Sequence, residues 1–257
     1  MRALITGATS GIGLAFAEEL AEQGADLVIV ARTTPRLADL AQRLGSEHGV
    51  AVEVLTADLG DDGGCRAVMD RLAAGTEPVD VLVNNAGFGL NQPFVAGSLA
   101  HEEHLLDVLV RATLRLTHAA LPGMVERGRG AVINVSSVAG WTSLGTYAAA
   151  KSWVTVFTES LGAELSGTGV TATAVCPGMT HTEFHDRAQM NMTALPAWAW
   201  LDARRVAREG LAAARAGRTI SVPSKRYSML ALAAQYTPRP LLRQAGRLVP
   251  RPRSTDR

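Results

Sequence analysis

A tyrosine and a lysine four residues apart are the side chains of this sequence best suited to proton transfer. Tyr147 and Lys151 stand at the two ends of the stretch YAAAK, and residues four apart lie on one face of a helix. An ammonium group beside a phenol favours the phenolate, so Lys151 is expected to lower the pKa of Tyr147 from about 10. Such a tyrosine can give a proton to a carbonyl oxygen or take one from an alcohol near neutral pH.

The position of this pair along the chain distinguishes it from a helix-surface tyrosine with an unrelated lysine. Two serines close a predicted strand shortly before Tyr147, and a serine hydroxyl there can hydrogen-bond to the same substrate oxygen. Ser137 is the candidate, and Ser136 is the alternative, although strand alternation would point it the other way. Lys151 is also one of only two lysines among 25 basic residues. Because the chain uses arginine at almost every other basic position, this lysine indicates a site where an arginine could not take its place.

A glycine-rich turn follows the first predicted strand, at residues 2–6. A helix is predicted to open at about Ser10, so the turn offers free backbone N–H groups and a positive helix end, both suited to a pyrophosphate. The alternative is a strand–helix turn whose glycines serve only the backbone. The residues of this turn predicted to bind a cofactor are Gly7, Thr9, Ser10, Gly11, Ile12 and Gly13.

Small and polar residues also follow the third and fourth predicted strands. Asp58, followed by Leu59, could accept a hydrogen bond from an adenine amino group, or it could cap the next helix. The stretch NNAG would let the chain lie close to a ribose, while its asparagine amides could tie neighbouring strands together; an Asn/Gly turn is the alternative. Its predicted cofactor-binding residues are Asn84, Asn85, Ala86 and Gly87.

Apolar strands and amphipathic helices alternate along the first 175 residues, which predicts an α/β fold with parallel strands and crossover helices. No domain boundary or internal repeat is visible, so residues 1–257 are expected to form one domain. The predicted strands are 2–6, 26–31, 50–57, 79–84, 130–135, 170–175 and 219–222. The predicted helices begin with one opening at residues 10–11, followed by 35–48, 61–74, 102–127, 146–165, 202–216, 227–236 and 241–248.

The segment from about 180 to 200 is irregular and contains tryptophans and methionines among polar residues. It is interpreted either as a lid over an apolar substrate or as ordinary packing. The apolar stretch 227–236 is expected to pack on the body or at a subunit interface rather than on a membrane surface. Residues 250–257 read as a flexible basic tail. The histidines show no spacing typical of a metal site, including His181 and His185 near the predicted substrate mouth.

Length and composition fit one large globular domain of 257 residues with a full core. A net charge of +1 implies no nucleic-acid partner. No apolar run is long enough to predict a membrane span. Two distant cysteines, and no room for a signal peptide before the first strand, favour a reducing, cytoplasmic location.

Six motifs in this order make the chain resemble the short-chain dehydrogenase/reductase family from Arg2 to about Thr182. They are TGATSGIG (6–13), DL (58–59), NNAG (84–87), NVSS (134–137), YAAAK (147–151) and PGMTHT (177–182). The resemblance implies a Rossmann-type doubly wound parallel sheet of about seven strands, with a small C-terminal helical cap over the substrate. It also implies hydride transfer between NAD(H) or NADP(H) and an alcohol or carbonyl.

The resemblance also assigns roles by position. Tyr147 is the acid/base, Ser137 polarises the substrate oxygen, and Lys151 lowers the pKa of the tyrosine and holds the nicotinamide ribose. Thr180 and Thr182 are placed near the nicotinamide carboxamide. The helices predicted at 102–127 and 146–165 form subunit interfaces in this family, so a homodimer or homotetramer is expected.

The residue after the second strand bears on the choice of cofactor. Members that bind NAD place an acidic residue there to accept from the ribose 2′-OH. Here the stretch ARTT offers the cation Arg32, two hydroxyls and no carboxylate that would repel a 2′-phosphate. NADP(H) is therefore favoured, with NAD(H) the alternative.

Two departures from the family pattern keep a second interpretation open. Leu109 stands where the family usually has an asparagine that holds a water of the proton relay. The stretch between Ser137 and Tyr147 is also about three residues shorter than is usual in the family. These departures motivate a non-catalytic, cofactor-binding regulatory or scaffold protein as the alternative to an active reductase of a moderately apolar ketone, aldehyde or secondary alcohol. Epimerase or dehydratase chemistry, which also uses the YxxxK pattern, is a third interpretation.

Overall fold

The structure, a computed structural model, describes residues 1–184, 196–238 and 240–241. A sheet of seven parallel strands in the order β3-β2-β1-β4-β5-β6-β7 organises the chain. The predicted fold class is confirmed. The strands are Arg2–Thr6 (β1), Asp26–Ala31 (β2), Val52–Thr56 (β3), Val81–Asn84 (β4), Gly130–Val135 (β5), Val170–Val175 (β6) and Ile220–Ser221 (β7).

Both faces of the sheet are covered by helices, which is why the central strands are apolar along nearly their whole length. One face packs against α1 (Gly11–Glu22), α2 (Thr34–His48) and α7 (Ala203–Arg215). The other face packs against α3 (Asp62–Ala73), α5 (Ala112–Glu126) and α6 (Gly145–Glu164). The two remaining helices of the described residues are α4 (Leu99–Leu106) and α8 (Lys225–Tyr236).

The long helix predicted at residues 102–127 is interrupted in the structure. A π-helical turn at Asp107–Arg111 separates α4 from α5, and α4 begins three residues before the predicted start. Within the turn, the backbone carbonyl of Leu109 accepts a hydrogen bond from the Thr113 hydroxyl at 2.9 Å. Single π-helical turns inside α-helices are frequent at functional sites, and this one places Leu109 toward the candidate site.

The C-terminal part of the chain matches the prediction only in part. Helix α8 begins two residues before the predicted start and packs Tyr227 and Ala231 on the body, as predicted, but it leaves Met229, Leu230 and Leu232 exposed. The helix predicted at 241–248 and the tail at 250–257 lie outside the described residues. Every helix within the described residues is too short or too polar to cross a bilayer.

Candidate active site

The glycine turn between β1 and α1 leaves no room for side chains at two of its positions. Gly7 has φ +66°, a conformation that favours glycine. A Cβ on Gly13 would stand 2.2 Å from the carbonyl oxygen of Gly7 and 2.3 Å from Nδ2 of Asn85. The turn therefore brings its backbone N–H groups and the N-terminus of α1 close together, as a phosphate group requires.

Replacing Gly13 by alanine is expected to lower the free energy of unfolding by about 2 kcal/mol, because the added methyl group has no space. The matched control is Gly45→Ala in α2, where a Cβ would meet Val50 O at 3.5 Å, an ordinary contact. That control should raise stability by about 0.5–1 kcal/mol through helix propensity. Urea denaturation measures both, and equal effects of the two substitutions would contradict the close packing at Gly13.

Two side chains fasten the glycine turn to the end of β4. The Thr6 hydroxyl accepts from the backbone N–H groups of Asn85 (2.9 Å) and Ala86 (3.0 Å). In return, Nδ2 of Asn85 donates to Thr6 O (2.9 Å) and Gly7 O (3.3 Å). The NNAG stretch thus lies against the glycine turn, and the amide of Asn85 holds the two together.

The side chain of Asn84 is buried in the interior. Its Nδ2 donates to Asn134 Oδ1 at 2.9 Å and to Thr117 Oγ1 at 3.1 Å, and Asn134 Nδ2 donates to Thr158 Oγ1 at 2.9 Å. This network links β4 to β5 and to the helices below, which is the strand-tying role predicted for an asparagine amide. The structure therefore supports a positioning role for Asn84 rather than a cofactor contact through its side chain.

The three candidate catalytic residues come together beyond the end of β5. Ser137 begins the short 3₁₀ turn Val138–Trp141, its hydroxyl accepts from Ala139 N at 3.1 Å, and it lies close enough to Tyr147 to lower the pKa of the phenol. Tyr147 stands in the first turn of α6, with Lys151 one turn further on. The hydroxyl of Ser136, the alternative serine, is buried and donates to Lys151 O at 2.7 Å, so it faces away from Tyr147.

The expectation that Lys151 lowers the pKa of Tyr147 is wrong for this structure. Burial raises the pKa of Tyr147 to about 12, and only the nearby Ser137 hydroxyl opposes this shift. Lys151 Nζ donates to Val135 O at 2.7 Å and lies 5.8 Å from the centroid of the tyrosine ring. Its ammonium group is therefore held by the backbone below the ring, and burial lowers the pKa of Lys151 to about 8.

The predicted adenine side of the site carries one exposed cation. Arg32, which follows β2, makes no hydrogen bond or ion pair with any residue that the structure describes. Asp58 Oδ1 accepts from Gly60 N at 2.9 Å. The alternative of a helix cap does not apply to Asp58, because Asp61 caps α3 by accepting from Gly64 N at 3.0 Å.

The segment that begins at Gly178 closes over the glycine turn. A Cβ on Gly11 would lie 2.8 Å from the methyl carbon of Thr182, so Thr182 lies against the start of α1. Thr180 is buried and donates to Gly178 O at 3.0 Å. The ring of Phe184 lies 5.6 Å from the ring of Tyr147, centroid to centroid. Thr182 is thus placed at the predicted pyrophosphate end rather than at the carboxamide.

Tyr227 is a residue of the site region that sequence reasoning missed. Its hydroxyl donates to Ala199 O at 2.7 Å and accepts from Met179 N at 3.2 Å, which joins both ends of the predicted lid to α8. Thr180 and Leu201 also form a parallel bridge between these two ends. A Cβ on Gly178 would overlap the Tyr227 ring, and that proximity is invisible in the sequence.

The lid residues themselves are only partly described. His181 stacks on Trp200, with ring centroids 4.6 Å apart. Trp198 is largely exposed, and the guanidinium of Arg226 lies 5.8 Å from its ring centroid. The predicted lid residues from His185 to Leu195, including both methionines, lie outside the described residues.

An apolar wall borders Tyr147 on the side of the π-helical turn. Leu109 is buried, lies 3.4 Å from where a Cβ on Gly87 would stand, and clusters with Phe88, Leu90 and Tyr147. A cavity of about 470 Å³ lies instead at the amino ends of the strands and contains none of the candidate residues.

Comparisons with known proteins agree with this geometry. The family model for short chain dehydrogenase matches residues 1–192. Sulfoacetaldehyde reductase 2 of Chromohalobacter salexigens is 41% identical over 186 residues, which cover 70% of this chain and 73% of that protein.

Two solved structures extend the likeness over most of the chain. A short-chain dehydrogenase from Sphingobium yanoikuyae in complex with NADPH has a TM-score of 0.83 and 36% identity, covering 91% of this chain and 93% of that one. The bulky-bulky ketone specific alcohol dehydrogenase from Comamonas testosteroni has a TM-score of 0.79 and 30% identity, covering 97% and 98%.

Proposed function

Because the chain belongs to the short-chain dehydrogenase family, and is thereby an oxidoreductase of carbonyl or alcohol groups, we propose that it is an NADP(H)-dependent reductase. Its substrate is a moderately apolar ketone or aldehyde, with the corresponding secondary or primary alcohol as the product. The observation that carries this proposal is the grouping of Ser137, Tyr147 and Lys151 beyond the end of β5, where Lys151 Nζ lies 5.8 Å from the centroid of the Tyr147 ring and Ser137 acts on the pKa of Tyr147.

The residues of the site fit a dinucleotide cofactor. The glycine turn and the N-terminus of α1 suit its pyrophosphate, and Lys151 would hold the nicotinamide ribose. NADPH, when bound, supplies the hydride that reaches the carbonyl carbon. Ser137 would hold the carbonyl oxygen by a hydrogen bond, and Tyr147 would give that oxygen its phenolic proton, which completes the alcohol.

The raised pKa of Tyr147 favours the direction of carbonyl reduction. With a pKa of about 12, the phenol is protonated at neutral pH and ready to donate. Alcohol oxidation requires the phenolate, which burial disfavours. We therefore assign reduction as the faster direction at neutral pH.

The apolar wall of Phe88, Leu90 and Leu109 supports a moderately apolar substrate. The aromatic ring of Phe184 over Tyr147 adds to this surface. The names of two relatives give substrates as different as sulfoacetaldehyde and bulky ketones. The apolar wall of this chain is therefore the better guide to the class of its own substrate.

Arg32 supports NADP(H) over NAD(H). Its guanidinium is exposed, follows β2 and is available to pair with a 2′-phosphate, for which arginine is well suited. A neighbour with 36% identity was solved in complex with NADPH.

The reduction rate is expected to fall above about pH 8. Lys151 has a pKa of about 8 in the cofactor-free chain, so its ammonium charge is present below that pH and is lost as the pH rises. Tyr147 keeps its proton up to about pH 12 and cannot cause this loss. The pH profile of kcat/KM for NADPH reports the free enzyme, and a profile that is flat from pH 7 to 10 would contradict the role of Lys151.

A non-catalytic, cofactor-binding protein of the same fold is the second candidate, and Leu109 favours it. The side chain of a buried leucine cannot hold a relay water, and one of the two lone pairs of the Leu109 carbonyl oxygen already accepts from the Thr113 hydroxyl. Titration with NADPH and NADH, followed by a panel of apolar and polar carbonyl compounds, separates the two candidates. Turnover of any apolar carbonyl supports the reductase, whereas tight NADPH binding without turnover supports the second candidate.

We also propose that the chain assembles as a homodimer or homotetramer through the outer faces of α4, α5 and α6. These faces expose Leu106, Leu114 and Val156, and exposed apolar side chains on neighbouring helices favour association. Light scattering of the purified protein measures the assembly, and a monomer would exclude it.

A further inference from the structure

Helix α8 presents an uncovered apolar surface to solvent. Four of its large side chains are exposed, namely Met229 (72%), Leu230 (59%), Leu232 (55%) and Tyr236 (80%). Its inner side packs Ala231 and Tyr227 toward the body and the ends of the lid. Large apolar side chains grouped on the exposed side of a helix are normally covered by another surface, so the outer surface of α8 favours a partner.

The charge of the C-terminal segment indicates which kind of partner. Of the 25 lysines and arginines in the chain, eight lie between Lys225 and Arg257, where only one of the 24 acidic residues occurs. The segment therefore carries a net charge of +7, whereas the preceding 224 residues carry −6. Such asymmetry between two parts of a chain is typical of binding to an anionic surface.

We propose that α8 docks this protein on an anionic lipid surface, to which the net positive charge of the C-terminal sequence adds electrostatic attraction. Exposed methionine, leucine and tyrosine side chains on a helix that begins with Lys225 and Arg226 match the chemistry of a helix that lies in the headgroup region of a bilayer. Basic residues near such a surface add electrostatic attraction that salt weakens.

Two other occupants of the surface fit the charge less well. A second copy of this chain would bring two segments of net charge +7 together, which like-charge repulsion opposes. Residues 242–257 of the same chain carry five arginines and one aspartate, so they share the sign of Lys225 and Arg226 beside the apolar surface. An anionic lipid surface can both cover the apolar side chains of α8 and neutralise the positive charge of the segment.

The test is flotation of the full-length protein with vesicles of phosphatidylcholine alone or of equimolar phosphatidylcholine and phosphatidylglycerol. The wild type should bind the anionic vesicles and not the neutral ones, and high salt should release it. The double substitution Met229→Gln/Leu232→Gln should lower the partition coefficient about tenfold or more. Substituting Arg243 and Arg247 by serine should lower it about fivefold for each arginine removed.

The matched control is Phe94→Gln/Val95→Gln, which removes two apolar side chains that are exposed to 70% and 99% elsewhere on the surface. This control should bind as the wild type does. The proposal is overturned if the wild type stays unbound with anionic vesicles, or if the α8 variant floats as the wild type does. It is also overturned if the α8 variant loses molecular mass in light scattering while its vesicle binding is unchanged, because a second copy would then cover α8. Vesicle binding needs no turnover, so its failure is distinguishable from failure of the proposed reductase function.

Discussion

Tyr147→Phe is expected to lower kcat for carbonyl reduction by about 10³-fold, within the range that a positioned general acid contributes. The substitution removes only the phenolic oxygen, whose proton completes the alcohol. Since the phenol is protonated at neutral pH, no other group of the described site replaces it as the donor next to Ser137. The dissociation constant for NADPH should change little, because the glycine turn and Lys151 are untouched.

Tyr236→Phe is the matched control, because Tyr236 is exposed on α8 and its hydroxyl lies outside the site. This variant should keep the wild-type kcat. Steady-state kinetics with NADPH, together with a fluorescence titration of the cofactor, measure both effects. Full activity of Tyr147→Phe would remove the tyrosine from the mechanism, and parallel loss of kcat and NADPH binding would indicate a structural role instead.

Arg32→Asp is expected to weaken NADPH binding by about 100-fold, which corresponds to about 2.7 kcal/mol. The substitution removes a guanidinium that can pair with the 2′-phosphate and puts a carboxylate in its place. The same carboxylate can accept from the ribose 2′-OH of NADH. The ratio of the two dissociation constants should therefore shift toward NADH.

Arg66→Asp on α3 is the control for the change in net charge, because Arg66 is exposed on the opposite face of the sheet from α2. It should leave the preference between NADPH and NADH unaltered. If Arg32→Asp also leaves it unaltered, Arg32 does not contact the 2′-phosphate.

The sheet could be predicted from sequence because its strands are short apolar runs bounded by glycine, asparagine or aspartate. Strand β2 matches its predicted bounds, and β3 and β4 begin two residues later than predicted. The glycine turn and the YAAAK stretch could also be found from the sequence, because their chemistry depends on residues that are close in sequence.

Features that depend on distant contacts could not be predicted in this way. The π-helical turn at Leu109 has no local signal, and the pKa of Tyr147 is set by how deeply α6 packs. The placement of Thr182 against Gly11 depends on how the chain returns after β6. The role of Asn84 within the buried network depends on Asn134 and Thr158, which are far along the chain.

The same limit applies to Lys151. Its spacing from Tyr147 predicts a neighbour on one helix face, which the structure shows, but spacing alone does not give the direction of its ammonium group. That group donates to Val135 O, a backbone acceptor at the end of β5. This hydrogen bond keeps the ammonium group next to the tyrosine ring. Burial lowers the pKa of Lys151 to about 8, so the charge, and with it the rate, is expected to be lost above about that pH.

Transfer of deuterium to a carbonyl compound from NADPH that carries deuterium at both C4 positions tests the central claim most directly. The proposed reductase should convert an apolar ketone to an alcohol that carries one deuterium on the carbinol carbon, as detected by mass spectrometry. The Tyr147→Phe variant should form almost none of this product. Saturating NADPH binding with no deuterium in any product, across apolar and polar ketones and aldehydes, would contradict the reductase and support the non-catalytic, cofactor-binding alternative.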